Sequence, residues 1–158
     1  VVNLLRVDAR LLHGQVAVTW ISNVNASSIL IADDQVMGDE MAKIALKMAK
    51  PADMKLAIRS IDGAIELLND SRSKDISIFA IVRTIEDALR LVKKTDCIQR
   101  INIGGIKKKE GSRLIAPAVY VNEEELVTLS ELVDLVEEVE FRMVPSDTPR
   151  SAKSLINK

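Results

Sequence analysis

Ile76-Ser77-Ile78-Phe79-Ala80-Ile81-Val82 runs seven residues without a charge and stops at Arg83-Thr84. A short, isoleucine-rich run of this kind reads as a strand buried on both faces, which requires helices in front of and behind the sheet. The flanks supply them. Downstream, Thr84 followed by Asp87 resembles a capping box, and Ile85, Ala88, Leu89 and Val92 share one helix face. Upstream, Ile61, Ala64, Ile65 and Leu68 mark another helix, preceded by a strand over Lys55–Arg59. Ser28–Ala32 (SILIA) is a further buried strand, ending at Asp33-Asp34. The helix over Asp39–Lys50 carries Met41, Ile44, Ala45 and Met48 at i, i+3, i+4 and i+7, a spacing that predicts core packing. At the start of the chain, a strand over Leu4–Val7 leads through the polar stretch Asp8–His13 into a helix over Gly14–Ser22. There Val16 pairs with Trp20 and Ala17 with Ile21.

Beyond the opening run, Arg100–Ile103 is a strand running into Gly104-Gly105. Lys107–Arg113 (KKKEGSR) then separates it from an extended segment, Leu114–Val121, and reads as the turn of a hairpin. Asn122 with Glu125 opens a helix through about Glu138, Glu140–Val144 is a last strand, and Ala152–Ile156 is a terminal helix. Strands alternating with helices imply right-handed crossovers. The fold class is α/β: an open, mostly parallel twisted sheet with helices on both faces and an irregular or antiparallel edge. With 158 residues and no repeat or linker, residues 1–158 read as a single domain.

Composition narrows the function. Twenty-two Lys+Arg balance 23 Asp+Glu, so nucleic acid is not an expected partner. One Cys and one His provide neither a disulfide nor a zinc set, and no metal is expected. No apolar stretch is long enough to span a membrane, and VVNLLRVDAR lacks the features of a signal peptide, so a cytoplasmic location is expected. Dinucleotide, P-loop and nucleophile-elbow motifs are missing, and no cofactor is expected. Aromatics are only 3 %, too few for a self-contained sugar-stacking pocket.

Ligands of open parallel sheets bind beyond the carboxyl ends of the strands. Those ends collect Asp8–Gly14, Asp33-Asp34, Arg83-Thr84 and Gly104-Gly105. His13 stands at a helix start beside Gly14, where free backbone N–H groups and the helix dipole favour an anion and disfavour imidazole protonation. Arg10, in the same loop, offers a bidentate clamp for an oxyanion. The bland alternative is a solvent-exposed or capping histidine. Asp33-Asp34 has three readings: a loop cap, a Mg²⁺ pair like that of a phosphoaspartate receiver domain, or an orienting charge for Arg10 or His13. Arg83 is a candidate on strand-end position alone. Gly104-Gly105 is either a turn needing positive φ or a place of close backbone approach. Lys107–Lys109 is a solvated loop or a docking patch for an acidic partner.

Arg6–Trp20, RVDARLLHGQVAVTW, resembles the hallmark segment Arg-[Ile/Val]-Asp-x-Arg-[Leu/Phe]-[Ile/Leu]-His-Gly-Gln-[Val/Ile]. That segment belongs to the enzyme IIB components of the mannose/fructose/sorbose family of the bacterial sugar phosphotransferase system. The similarity extends in order through Ile29–Val36, DEMAKIAL, RINIGGI (Arg100–Ile106) and Ala118–Val121. Ala9 and Ile106 depart from the common residues without removing a required group. The resemblance implies an open α/β fold and a phosphocarrier. His13 would accept a phosphoryl group from enzyme IIA and pass it to a sugar held by the membrane components IIC and IID, which would keep the chain at the inner face of the membrane. Arg10 matches an Arg that contacts the phosphoryl oxygens, and Asp8 a carboxylate that helps hold the site. Gly14, Gln15, Asp33, Asp34 and Arg83 are the expected phosphate-binding or supporting residues. The transfer is expected to be metal-independent. The competing classes are a Mg²⁺-dependent receiver phosphorylated on Asp33 or Asp34 and a non-catalytic α/β binding module.

Overall fold

The computed structural model describes residues 1–156, with the side chains of residues 15–18 outside the description. Its elements in chain order are β1 (Val2–Asp8), α1 (Gly14–Val24), β2 (Ser28–Ala32), α2 (Glu40–Ala49), β3 (Lys55–Arg59), α3 (Ile61–Asn69), β4 (Ile78–Val82) and α4 (Ile85–Lys94). These are followed by β5 (Arg100–Gly105), β6 (Arg113–Ala116), β7 (Val119–Val121), α5 (Glu123–Leu135), β8 (Glu138–Phe141), β9 (Arg150–Ser151) and α6 (Ala152–Ile156). The main sheet has the order β3-β2-β4-β1-β5-β8-β9. Its neighbours pair in parallel except β9, which runs antiparallel to β8 at the edge.

The strict alternation of side chains along a strand divides the apolar residues between two cores. Leu5 and Val7, Leu30 and Ala32, and Ala80 and Val82 face α3, α4, α5 and α6. Leu4, Ile29, Ile31, Phe79 and Ile81 face the other way, against Trp20 and Ile21 of α1 and Leu46 of α2. Helices therefore cover both faces, as the uncharged strands require. β1 and β4 are neighbours, yet the chain leaves β1 through α1 on one face and β4 through α4 on the other. Such a divergence opens a crevice at the carboxyl ends of the two strands.

Several boundaries differ from expectation for identifiable reasons. β4 begins at Ile78, because Ile76 belongs to a turn in which its N–H bonds to Ser73 O at 3.1 Å, and its side chain is exposed. The hairpin turn lies at Pro117-Ala118, not at Lys107–Arg113: β6 and β7 pair antiparallel within the expected single extended segment. Pro117 presets the turn and Ala118 takes a φ of 63°, the combination of a tight turn with a left-handed third residue. β8 starts two positions earlier than expected, because Glu138 registers with Arg100 of β5 and ends the helix sooner.

The largest correction concerns α2. Met41, Ile44, Ala45 and Met48 do not pack into the core. Met41 and Met48 are 77 % and 81 % exposed, and Leu46 is the buried residue of this helix. The apolar stripe is wider than the surface the fold covers. Val16 and Ala17, the expected partners of Trp20 and Ile21, lie among the side chains outside the description.

Candidate functional site

β1 is the origin of the site, because it sets an ionic pair into an apolar strand. Arg6 is 2 % exposed and Asp8 4 % exposed, and Arg6 Nη2 donates to Asp8 Oδ2 at 3.1 Å. A buried guanidinium requires partners on its remaining N–H groups. Asn102 Oδ1, in register with Arg6 on β5, accepts from Nη1, as does Arg142 O at 3.3 Å; Met143 O accepts from Nη2 at 3.1 Å. Trp20 lies against the same group: the Arg6 guanidinium carbon sits 5.1 Å from the indole centroid, Arg142 is at 5.3 Å, and the indole N–H donates to Met143 O at 2.7 Å. Burial lowers the Arg6 pKa, and the neighbouring Asp8 carboxylate opposes the shift.

Asp8 passes this anchoring on to the loop. Its Oδ1 accepts from the Arg10 N–H at 2.9 Å, and its Oδ2 meets His13 Nε2 at 3.1 Å. One carboxylate oxygen thus serves both Arg6 and His13. The loop is fixed from other directions as well. Ala9 N–H bonds to Gly105 O at 2.9 Å, and Leu11 N–H to Asp8 O at 2.9 Å. Leu11 adopts a φ of 57°, a conformation a leucine keeps only under external constraint. Burial of Leu11 and Leu12 in the core beneath α1 supplies that constraint.

His13 is the extended residue preceding α1, and no acidic side chain occupies the first turn of that helix. Its side chain is 17 % exposed. A carboxylate accepting from Nε2–H fixes the neutral ring with its lone pair on Nδ1. Nδ1 has no partner among the described residues. Arg10 is exposed, and its guanidinium is without a partner among the described residues. Gly14 takes a φ of 36°, which turns the chain into the helix. Gln15's side chain lies outside the described residues.

Asp33, Asp34 and Arg83 have other tasks than touching His13 or Arg10. Asp33 accepts from Val36 N–H at 3.1 Å and from Arg83 Nε and Nη2 at 3.3 and 3.1 Å. Arg83 Nη1 in turn donates to Ala9 O at 3.0 Å, so this pair braces the Asp8–Gly14 loop from the end of β4. Asp34 accepts from Ile61 N–H and from Arg90, and these bonds, the backbone one first, hold its carboxyl below the usual range. Gly104 and Gly105 do not have positive φ. Gly104 makes room for Arg6: a Cβ there would stand 2.0 Å from Nη2. Lys109 is bound by Glu125 at 2.6 Å, and Lys107 and Lys108 are exposed.

Sequence reasoning missed Arg6, Asn102, Trp20 and Arg142 as members of this site. The available signal was a polar residue inside each of two apolar runs, LLRV and RINI, whose register brings Arg6 and Asn102 together. A loop histidine with an oriented ring, an exposed arginine in the same loop and a helix start beside it is suited to accepting and releasing an anionic group.

Comparison with known proteins places the chain in a family. The chain is 37 % identical over 159 residues to a probable phosphotransferase enzyme IIB component of Streptococcus pyogenes serotype M6, covering 97 % of this chain and 98 % of that one. The crystal structure of the IIBSor domain of the sorbose permease from Klebsiella pneumoniae superimposes with a TM-score of 0.93 at 30 % identity, covering 99 % of this chain and 96 % of that one. A mannose-specific EIIAB component of Escherichia coli is 28 % identical over 158 residues, spanning all of this chain and 49 % of the relative. The family model for the sorbose subfamily IIB component of the phosphotransferase system matches residues 2–158, and the chain belongs to that family.

Proposed function

We propose that His13 carries the phosphoryl group, accepting it from the phosphohistidine of an enzyme IIA and donating it to a sugar held by membrane components IIC and IID. The observation that supports this most directly is the Asp8 contact to His13 Nε2, which leaves Nδ1 as the nucleophile. In the first step the Nδ1 lone pair forms a P–N bond while the donor's P–N bond breaks and its electron pair returns to the donor nitrogen. Both bonds join phosphorus to an imidazole, so little driving force is needed and positioning dominates. Phosphorylated His13 is an imidazolium, and Asp8 stabilises its Nε2–H. Arg10 and the backbone N–H groups at the start of α1 face the charge on the phosphoryl oxygens. Arg83 and Asp33 act one step removed, by holding Ala9.

In this scheme every charge in flight has a protein partner, so transfer proceeds without a metal. The chain works as a one-domain carrier at the inner face of the membrane, held there by IIC and IID. No described helix is long and apolar enough to cross a membrane.

Incubation with ³²P-labelled enzyme IIA tests the assignment. Wild type takes label that is lost in acid and kept in alkali, with EDTA present or absent, and His13→Ala takes none while melting normally. Alkali-labile label, or label on the His13→Ala chain, would assign the phosphoryl group elsewhere.

A further inference from the structure

The exposed side of α2 is apolar where a helix of this fold has no structural reason to be. Met41 and Met48 are largely exposed and Ile44 is 50 % exposed. Met37, in the turn before the helix, is 37 % exposed. These side chains form a ridge beside Ala45. On the other side of Ala45, Ala42, Ala45 and Ala49 line a groove of about 460 Å³, and its opposite wall is Arg10–Gly14, including His13. Groove and ridge adjoin at Ala45, so the surface beside the His13 loop continues onto the exposed apolar crest of α2. Lys43 and Lys47 occupy the remaining side of the helix, with Glu40 bonded to Lys43 at 3.3 Å.

We propose that this ridge and groove are the docking face for the phosphoryl donor, a protein presenting apolar side chains around its phosphohistidine and acidic groups at the rim. The inference rests on the carrier function above and deepens it. Transfer requires both imidazoles on one phosphorus, so the donor must cover the Arg10–Gly14 loop. Anything seated over that loop enters the groove shared with α2, and the ridge continues from it. Arg10 on one side and Lys47 on the other give the face cationic borders, which disfavour a second copy of this chain and favour an acidic-rimmed partner. A second copy would also seal the His13 loops of both chains.

The test compares the full chain with a Met41→Ser/Ile44→Ser/Met48→Ser variant, using ³²P-labelled enzyme IIA at varied concentration. KM for the donor rises at least about tenfold, the effect of losing a few central apolar contacts, while the rate at saturating donor holds. Val127→Ser, at a 66 % exposed position of α5, the helix that packs on the opposite face of the sheet, leaves KM unchanged. Met48→Ser alone gives a smaller rise in KM and keeps the test valid if the triple variant does not fold. Lys47→Glu also raises KM. Label transfer with an unchanged KM overturns the docking face. So does a defect confined to onward transfer to sugar, which would assign the face to the acceptor, or a wild-type dimer that the triple variant dissociates without changing KM. A wild-type chain that takes no label overturns the carrier function itself, a separate result.

Discussion

Gly104→Ala is a one-carbon change whose consequences run through the whole site. The glycine lies in β5 with ordinary backbone angles, so alanine fits the chain itself. The added methyl would stand 2.0, 2.2 and 2.6 Å from Arg6 Nη2, Cζ and Nη1. An exposed arginine would swing away at little cost. Arg6 cannot, because it is 2 % exposed, backed by Trp20, and bonded to Asp8, Asn102, Arg142 O and Met143 O. Displacing the guanidinium breaks a buried ion pair, at a cost of about 3–5 kcal/mol. Replacing glycine returns roughly 0.4–1 kcal/mol through the unfolded chain. The net loss is about 2–4 kcal/mol, a large part of the roughly 5–15 kcal/mol expected for a domain. Urea unfolding followed by far-UV circular dichroism reads this as a midpoint lowered by about 1–2 M, given a slope of about 2 kcal/mol/M. In an Arg6→Met background the same substitution has nothing to displace, and its cost falls below about 1 kcal/mol, the non-additivity expected of touching residues. A loss under about 0.5 kcal/mol in the wild-type background, or an undiminished loss without Arg6, would refute the claim that Gly104 exists to seat this side chain.

Arg10→Lys slows phosphoryl transfer by about 10–100-fold, the kinetic equivalent of one charge-assisted hydrogen bond of about 1.5–3 kcal/mol, and leaves stability unchanged; equal initial rates would argue against a bidentate role. Asp8→Asn abolishes the ring preference of His13, so ¹⁵N chemical shifts report a mixture of the two neutral tautomers; a ring still protonated only at Nε2 would show that another group orients it. Asp34 has its carboxyl pKa lowered by the Ile61 N–H and Arg90. Its stabilisation is therefore complete above its ordinary value of 3.8 and is lost as pH falls through the lower folded value. Asp34→Asn flattens that part of the acid stability curve, which unfolding measurements between about pH 5 and pH 2 follow.

The fold was legible because its signals are local and repeated. SILIA, ISIFAIV and RINI carry little or no charge, and the helices between them show periodicity with caps where Thr84 and Asn122 stand. The Asn122–Glu125 pair bonds reciprocally as its spacing predicts, whereas at Thr84 the cap is the single bond from Asp87 N–H to the hydroxyl and not the full capping box. The hairpin was misplaced because an extended run of eight residues does not reveal a turn built on Pro117 and a left-handed alanine. The helix face of α2 was misjudged because periodicity shows that a stripe is apolar and not what lies opposite it. At the site, the positions of His13, Arg10 and Asp8 at one strand end follow from sequence order. The anchoring of Asp8 does not, since Arg6 meets Asn102 across 96 residues and Arg142 O across 136. Asp33 and Asp34 look alike in sequence and diverge in space, one tied to Arg83 and the other to Arg90.

The chain has one tryptophan, and it is nearly fully buried, with the guanidinium groups of Arg6 and Arg142 both against its ring and its indole N–H on Met143 O. Its emission is therefore a native probe of a single place in the molecule. The charges of Arg6 and Arg142 lie close enough to the ring to influence its emission, so a shift in the Arg6–Asp8 pair is expected to change the spectrum. The proposed phosphorylation of His13 is expected to register in this signal on the unlabelled protein, with tyrosine background limited to one residue, Tyr120.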